Sequence, residues 1–450
     1  MKPSPRESRR GDSLLCSLLL VPTLLIFVLL TWDGAPFCCD ASAYMSMVDG
    51  HRAEGLFYHH TTLGYRAYLF PYFYSLIPFA GSEVVFGDIR GYTVAAISVF
   101  LAVEFAVLMR TRESELFWPL YVGFFVNPLL LVYIPYPLAE SFLLIAFNGL
   151  TSWLLVLDYR RGGWRFAAVL GLFAGVMYMT RPSNLVLAIP IGLLLVGHLR
   201  ARVTASERLG SAAAFSLLAA LVIAPQSAAM LRYFDTPVPY PNSAALETQL
   251  VYGEAYAKYA TNVSGRMNTE PPLAYWNPLN CESDSSSNAR NGRLFACLVQ
   301  SEARRDGPGA IAFTGLIHIY NALNYDVLKP YITQVSVPLF SIIQLLSMTV
   351  VFLGGYGALR KLALREAELR DWFLLGIAGV SLAVTTITAV ETRFGVLATA
   401  VFSLFAAELL IRGRPAAREW LPLGFGLVLF LLTSSLLSVY VLALSGGASP

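Results

Sequence analysis

The strongest constraint on this sequence is a series of continuous apolar runs, each close to membrane-spanning length. A helix of about 20 apolar residues crosses a hydrocarbon core roughly 30 Å thick. The runs do not alternate polar and apolar residues, as the strands of a transmembrane barrel do. The sequence therefore predicts an all-α polytopic membrane protein. We place about eleven spans, at 13–31, 90–109, 116–134, 138–157, 166–180, 183–198, 210–231, 331–356, 372–390, 394–411 and 420–445.

Composition agrees with this fold class. The chain has 450 residues, of which 56% are hydrophobic and only 14% are charged. Soluble domains carry about 25% charged residues. The first apolar run follows a basic "RESRR" start, as in a signal peptide. It is long for that, however, and no clean small-residue cleavage site follows, so we expect a retained helix.

The links between the runs carry an uneven charge. Alternate links are rich in basic residues, namely Arg9, Arg10, Arg110, Arg112, Arg160, Arg161, Arg165, Arg200, Arg202, Arg208, Arg360, Lys361, Arg365, Arg370, Arg412, Arg414 and Arg418. The opposite short links, "IPYP" and "ETRF", carry at most one. The positive-inside rule places the basic set in the cytoplasm. The N-terminus is then cytoplasmic and the C-terminus external, in a multi-pass protein of a cell membrane, which we expect to be a bacterial inner membrane.

Two long segments fall on the external side. We divide the chain into a cytoplasmic N-terminus 1–12, a transmembrane core 13–231 with a first external loop 32–89, a large external loop 232–330, and C-terminal transmembrane helices 331–450. In the first loop, "ASAYMSMVDGHRAEGLF" spaces its apolar residues like a helix lying in the interface. The aromatic segment 65–79 is typical of interfacial anchors. In the second loop, Cys281 and Cys297 are a plausible disulfide pair, since disulfides are permitted outside the cell.

Asp40 is the most informative single residue. It lies a few residues beyond the first span, at the start of the interfacial segment, so its carboxylate is close to headgroup depth. Partial desolvation raises the pKa of a carboxyl group there and makes it a better proton acceptor. The alternative is that Asp40 caps a short helix, because "DASAY" is also a fair helix start.

A second feature is a set of charged side chains near the external interface. The "ETRF" link holds Glu391 and Arg393 beside the membrane surface. The two residues form a snorkelling ion pair, or, alternatively, Arg393 binds an anionic headgroup. Other members of this set are Arg66, Arg90, Arg181, Lys329 and Glu140. Cations here run against the positive-inside tendency, and a lipid phosphate would require them. Glu104 lies deeper, where an arginine of a neighbouring helix could pair with it, and receives no role.

Several chemistries have no support. His59 and His60 lack a tight ligand spacing, so no metal residues are assigned. The motifs GxxxxGK, GxGxxG, GxSxG and HExxH are absent from the sequence. Nucleotide-driven and common hydrolase reactions are therefore not expected, and nothing in the sequence indicates a nucleic-acid partner.

Taken together, six segments resemble the GT-C superfamily of membrane glycosyltransferases, in its protein-mannosyltransferase-like and aminoarabinose-transferase-like group. They occur in the right order over most of the chain: "DASAYMSMVDG", "YRAYLFPYFYSLI" with "FGDIRGYTVAAISVF", "NPLLLVYIPYPLAESFLL", "GLFAGVMYMTRPSNLVLAIP", "IAPQSAAMLRYFDTPVP" and "ETRFGVLATAVFSLF". Many members carry two adjacent acids in the first loop, whereas Ala41 follows Asp40 here. No cofactor is therefore assigned, and a divalent metal is left open.

The resemblance implies a GT-C fold and the transfer of a sugar from a polyprenyl-phosphate-linked donor to an acceptor hydroxyl on the external face, with inversion. Asp40 would act as general base. Arg393, with Arg66, Arg90 and Arg181, would hold the donor phosphate. Substrate contacts are predicted for Tyr44, Glu140, Glu391 and Lys329. The expected partners are the lipid-linked donor, a glycan, lipid or protein acceptor, and membrane lipids.

Two other functions share this architecture. A transporter or flippase of a lipid-linked or amphiphilic substrate is the main alternative, although transporters often show inverted repeats and midplane polar residues. No repeat is visible here, and the polar residues crowd at the external interface. A noncatalytic scaffold of an envelope-polymer assembly would tolerate the loss of Asp40.

Overall fold

The computed structural model describes residues 5–31, 40–58, 66–78, 90–240, 250, 289–324, 337–388, 392–413, 415 and 417–446. Some of these residues, among them Asp40 and Arg393, are described by their backbone alone. Every regular element in the described ranges is a helix. The prediction of an all-α membrane protein is confirmed.

The helices follow one another in a single series. The first half contains α1 (Pro5–Thr31), α2 (Asp40–Glu54), α3 (Leu69–Ser75), α4 (Arg90–Thr111), α5 (Phe117–Leu120), a π-helix (Tyr121–Phe125), α6 (Pro128–Leu131), α7 (Ala139–Leu157), α8 (Gly163–Thr180), a 3-10 helix (Pro182–Leu187), α9 (Ala188–Arg200) and α10 (Ala205–Phe234). The second half contains α11 (Ala289–Asp306), α12 (Pro308–Leu323), α13 (Val337–Ala363), α14 (Leu369–Thr385), a 3-10 helix (Thr392–Gly395), α15 (Val396–Ile411) and α16 (Ala417–Gly446).

Each of the eleven predicted spans has a helical counterpart. In the described part of the chain, eight helical segments are long and apolar enough to cross a membrane: Asp12–Leu29, Arg90–Thr111, Ala139–Leu157, Gly163–Thr180, Pro182–Arg200, Ala205–Phe234, Ile342–Ala363 and Ala417–Tyr440. The helices α14 and α15 are shorter, with 17 and 16 residues. At about 1.5 Å per residue they are roughly 25 Å long, slightly less than the hydrocarbon thickness.

The remaining predicted span, 116–134, is not one continuous helix. It is α5, the π-helix and α6 in succession. Asn127 starts α6, because its side-chain oxygen accepts a hydrogen bond from the Leu129 backbone N–H at 3.0 Å. Its amide nitrogen donates to the Ser403 hydroxyl of α15 at 2.6 Å. The break is therefore compensated by polar contacts inside the bundle, as irregular backbone at membrane depth requires.

The helices of the core pack closely where small residues face each other. Along α8, Gly171 lies against α10, and a Cβ atom there would come within 2.2 Å of the Phe215 carbonyl oxygen. Gly175, one turn later, faces the Val222 side chain of α10, and a Cβ atom there would come within 2.8 Å of the Val222 Cβ atom. Small residues at such positions let two helix backbones approach, which is the main source of helix association in a bilayer.

In the part of the chain that the structure describes, the basic links meet at one end of the bundle. Arg112 pairs with Asp12, and Arg412 pairs with Glu115 at 2.5 Å. Arg360 donates to the Gly413 carbonyl at 2.9 Å. This end also carries exposed tryptophans in or near the first turns of helices, namely Trp118, Trp164, Trp372 and Trp420. Tryptophan is enriched at membrane–water interfaces, so these rings mark the level of the headgroups there.

The other end of the bundle carries α2 and α3. These two short helices pack on each other and on the beginnings of α4 and α7. The contact is an apolar cluster that includes Met45, Val48, Phe70, Tyr74, Tyr92 and Phe142. Because this cluster fixes α2 and α3 against the spans, these two helices contribute a defined surface at the end opposite to the basic links.

Candidate active site

The candidate site begins at the N-terminal end of α2. This helix starts at Asp40 and buries Ala41, Met45 and Val48. The backbone therefore places Asp40 in a first turn, where the N–H groups of the helix favour a negative charge. Both sequence interpretations of Asp40 agree with a helix that starts there. The position of its carboxylate lies outside the described part of the structure.

Arg66 and Tyr44 are in direct contact. The guanidinium carbon of Arg66 lies 4.8 Å from the centre of the Tyr44 ring. This is a cation–π distance. Tyr44 follows Asp40 by one helical turn, so both residues lie on the same side of α2. A residue predicted to bind phosphate is thus held beside the helix that begins with the predicted base.

A residue that the sequence analysis did not select holds this segment in place. Gln226 of α10 is completely buried. Its amide nitrogen donates to the carbonyl oxygens of Arg66, at 3.1 Å, and Pro239, at 3.0 Å. Its side-chain oxygen accepts from the Tyr68 N–H at 3.1 Å. One side chain therefore ties the segment before α3 to α10 and to the residues that follow α10. A lone glutamine in the apolar run of α10 was the signal that could have revealed it.

Tyrosines surround this junction. The Tyr240 hydroxyl donates to the Tyr178 carbonyl at 2.9 Å. Burial raises the pKa of Tyr240 well above its usual value, with added effects from Tyr178, Tyr44 and Tyr68. Burial also raises the pKa of Tyr68 to about 12, with a smaller effect from Tyr72. Both phenols stay neutral at physiological pH and act there as hydrogen-bond donors.

Besides the Arg66–Tyr44 contact, the site contains a second cluster, formed by Glu140, Arg181 and Phe394, where three of the predicted motifs meet. Glu140, in the first turn of α7, is only 3% exposed, and it pairs with Arg181 at 2.9 Å. Arg181 follows α8 directly. Its guanidinium carbon also lies 4.1 Å from the centre of the Phe394 ring. The "YPLAES", "TRPSN" and "ETRF" segments are thus brought together, and Arg181 is fixed by a carboxylate and an aromatic face.

Aromatic contacts connect the two clusters. Tyr44 packs edge-on against Phe70, with ring centres 4.9 Å apart. Phe70 packs against Tyr92 at 6.1 Å. The Tyr92 hydroxyl lies 2.6 Å from the Ser141 hydroxyl, next to Glu140 in the chain. A continuous wall of side chains therefore extends from Arg66 and Tyr44 to Glu140 and Arg181.

The remaining predicted site residues are Arg90, Arg393, Glu391 and Lys329. Arg90 is exposed at the start of α4, two residues before Tyr92. The backbone of Arg393 lies in the 3-10 helix that carries Phe394. Gly395 ends that helix against α12, where a Cβ atom would lie 2.1 Å from the Ala322 carbonyl oxygen. Glu391 and Lys329 lie outside the described residues.

Two other sequence expectations concern Glu104 and the cysteines. Glu104 is fully buried and accepts a hydrogen bond from the Thr23 hydroxyl of α1 at 2.9 Å. Among the described residues it forms no ion pair with an arginine, so the pairing that the sequence allowed is not observed there. Cys297 is disulfide-bonded. Its pairing with Cys281 stays a prediction, because Cys281 lies outside the described residues.

The part of the chain that the structure describes contains no group of three or more His, Cys, Asp or Glu side chains able to hold a metal ion. His59 and His60 lie outside that part.

Comparison with known proteins gives one structural likeness. No protein family and no curated protein matches the sequence. Among solved structures, the chain is similar to the archaeal oligosaccharyltransferase AglB from Archaeoglobus fulgidus, solved in complex with an inhibitory peptide and a dolichol-phosphate. The TM-score is 0.46 at 11% sequence identity, over 97% of this chain and 56% of that one. The chain thus spans just over half the length of that structure.

Proposed function

We propose that this protein is an integral membrane glycosyltransferase of the GT-C superfamily. It moves a sugar from a polyprenyl-phosphate-linked donor to an acceptor hydroxyl at the end of the bundle that carries α2 and α3, which is the external end. The observation that carries the proposal is the convergence of the motifs at this end. Arg66 lies on Tyr44 beside the helix that begins with Asp40, and Arg181 bridges Glu140 and Phe394.

The chemistry that we propose needs a base and a cationic surface. The acceptor oxygen attacks the anomeric carbon and gives its proton to the Asp40 carboxylate. The bond between the anomeric carbon and the phosphate oxygen breaks, and the prenyl phosphate leaves with the bonding electron pair. Attack on the face opposite to the leaving group inverts the configuration. Guanidinium groups fixed near the phosphate stabilise the charge that develops on it.

The residues have distinct proposed roles. Arg393, Arg66, Arg90 and Arg181 hold the donor phosphate, because a guanidinium fork matches its oxygens. Tyr44, Glu140, Glu391 and Lys329 line the substrate site. The aromatic segment 65–79 guides the prenyl chain.

Replacement of the proposed base tests this function. In membranes supplied with a prenyl-phosphate sugar fraction extracted from the host, we expect Asp40→Asn to reduce sugar transfer by on the order of 100-fold or more, since general base catalysis contributes that much. Asp49→Asn, a change of another acid on α2, is the matched control and should retain transfer.

The same pair of variants separates the competing functions. A transporter or flippase would move the lipid-linked sugar across vesicle membranes without attaching it to an acceptor, and a scaffold would support polymer assembly with Asn at position 40. Full transfer by the Asp40→Asn protein would remove the base assignment.

A further inference from the structure

At the basic end of the bundle, four helices enclose a pocket of about 240 Å³. The last turn of α7, the beginnings of α8 and α14, and the middle of α9 form its walls. Its apolar lining is covered by protein, with Leu154, Leu155, Phe166, Leu194 and Phe373 each at most 9% exposed. Its polar lining lies at the accessible edge and includes Arg160 and Arg370. The pocket therefore has an apolar interior and a charged entrance.

Each arginine at the entrance makes a contact through its Nε atom with a neighbouring side chain. Arg160 follows α7, and its Nε donates to the Tyr159 hydroxyl at 2.8 Å. Arg370 belongs to α14, and its Nε pairs with Glu368 at 3.1 Å. Each guanidinium group is thus anchored at Nε. A fixed planar fork is the geometry that binds phosphate oxygens in pairs.

The surrounding charge is positive. Arg202 donates to the Tyr159 carbonyl at 3.2 Å, and its Nε is buried without a hydrogen-bond partner among the described residues. Arg161 lies 3.9 Å from Asp158. The lining itself contains two arginines, Arg160 and Arg370, and two carboxylates, Asp158 and Glu368. Arg161 and Arg202 lie beside the lining, in contact with Asp158 and Tyr159, so the pocket and these two neighbours together carry a surplus of two positive charges. An anion at the entrance would be stabilised by this surplus.

The pocket lies at the depth of the lipid headgroups. Trp164 on α8 is 61% exposed, and Trp372 on α14 is 56% exposed. They are close neighbours in sequence of the lining residues Phe166 and Phe373. Exposed tryptophans of this kind sit at the membrane interface. The entrance is therefore level with lipid phosphates, and the apolar interior is level with the first carbons of their acyl chains.

We propose that this pocket binds an anionic phospholipid of the leaflet at the arginine-rich end. The phosphate is held between Arg160 and Arg370, and the upper acyl chain covers the leucine and phenylalanine interior. Basic pockets between transmembrane helices bind such headgroups. A soluble phosphate would leave the apolar interior unfilled, and the ammonium group of a zwitterionic lipid would meet the surplus of arginines. The site is distinct from the proposed sugar-transfer site at the other end.

The test measures lipid-dependent stability of the full-length protein in neutral detergent. Added phosphatidylglycerol should raise the thermal unfolding midpoint of the wild type, and phosphatidylcholine should not. In the Arg160→Ala/Arg370→Ala protein, the phosphatidylglycerol concentration for half-maximal effect should rise at least about tenfold, because two charge-assisted contacts are lost. Arg200→Ala, a change of an exposed arginine at the same end but outside the pocket, should behave as the wild type.

Three results would overturn the proposal. Equal responses of the double variant and the Arg200→Ala protein would show a diffuse charge effect. An equal response to phosphatidylcholine would remove the role of the arginines. Stabilisation by glycerol phosphate at the same concentration as by the lipid would assign the pocket to a soluble phosphate. If the double variant does not fold, Arg160→Lys/Arg370→Lys keeps the charge without the fork and should show a smaller loss.

Discussion

At the α2 end, Arg181 has a structural role that can be separated from the phosphate-binding role proposed for it. Arg181 satisfies the buried Glu140 carboxylate and stacks on Phe394. A buried carboxylate without its partner costs several kcal/mol. Arg181 is therefore required for the local fold, whether or not its remaining N–H groups also contact the donor phosphate.

A double-mutant cycle separates these two roles. Arg181→Met should lower the free energy of unfolding by about 3 kcal/mol, because the buried Glu140 carboxylate loses its ion pair with Arg181. Glu140→Gln in the same chain should recover most of that loss, since no uncompensated charge remains. Denaturant titration of all four proteins in detergent gives the coupling energy. If the Glu140→Gln protein transfers sugar and the stable double variant does not, Arg181 has a role in the reaction as well. A stable and fully active double variant would contradict that role.

At the level of elements, the relation between α8 and α10 fixes much of the site. Gly171 and Gly175 bring these helices into close contact. That contact places Gln226 of α10 where it can hold Arg66, Tyr68 and Pro239. Arg181 follows the same α8, so both clusters depend on this one helix pair.

Separation of the two helices should therefore weaken the whole site. We expect Gly171→Leu to lower the unfolding midpoint strongly, because its side chain meets the α10 backbone and overpacking typically costs about 1–3 kcal/mol. Gly192→Ala on α9 is the control: a Cβ atom there has no neighbour within 4 Å. Alanine in a helix is favoured over glycine by roughly 0.5–1 kcal/mol. A Gly171→Leu protein as stable as this control would disprove the close contact.

At the level of the whole molecule, the two ends have different chemistry. One end gathers the arginine-rich links and exposed tryptophans. The other carries α2, α3 and the two clusters of the candidate site. This polarity agrees with an orientation in which the arginine-rich end faces the cytoplasm.

Reporter fusions test this orientation. Alkaline phosphatase, which needs an external location to form its disulfides, should be active when fused after residue 240 or at the C-terminus, and inactive when fused after Arg165 or Arg412. The opposite pattern of activity would show that the protein has the reverse orientation in the membrane, with the candidate site on the cytoplasmic side. That result would exclude external transfer while leaving the local geometry of the site intact.

The sequence by itself determined the spans, the clustering of arginines in alternate links and the helix that begins at Asp40. These depend on the hydrophobicity and charge of consecutive residues, which are local properties. Only the tertiary structure decided that the 116–134 segment is broken and that Glu140 pairs with Arg181 against Phe394. It also decided that Gln226 binds the backbone of Tyr68 and Arg66, which precede it in the sequence by 158 and 160 residues. Such contacts depend on how distant helices pack, and in a bilayer that packing is set by side-chain shape and polar pairing rather than by the overall apolar pattern.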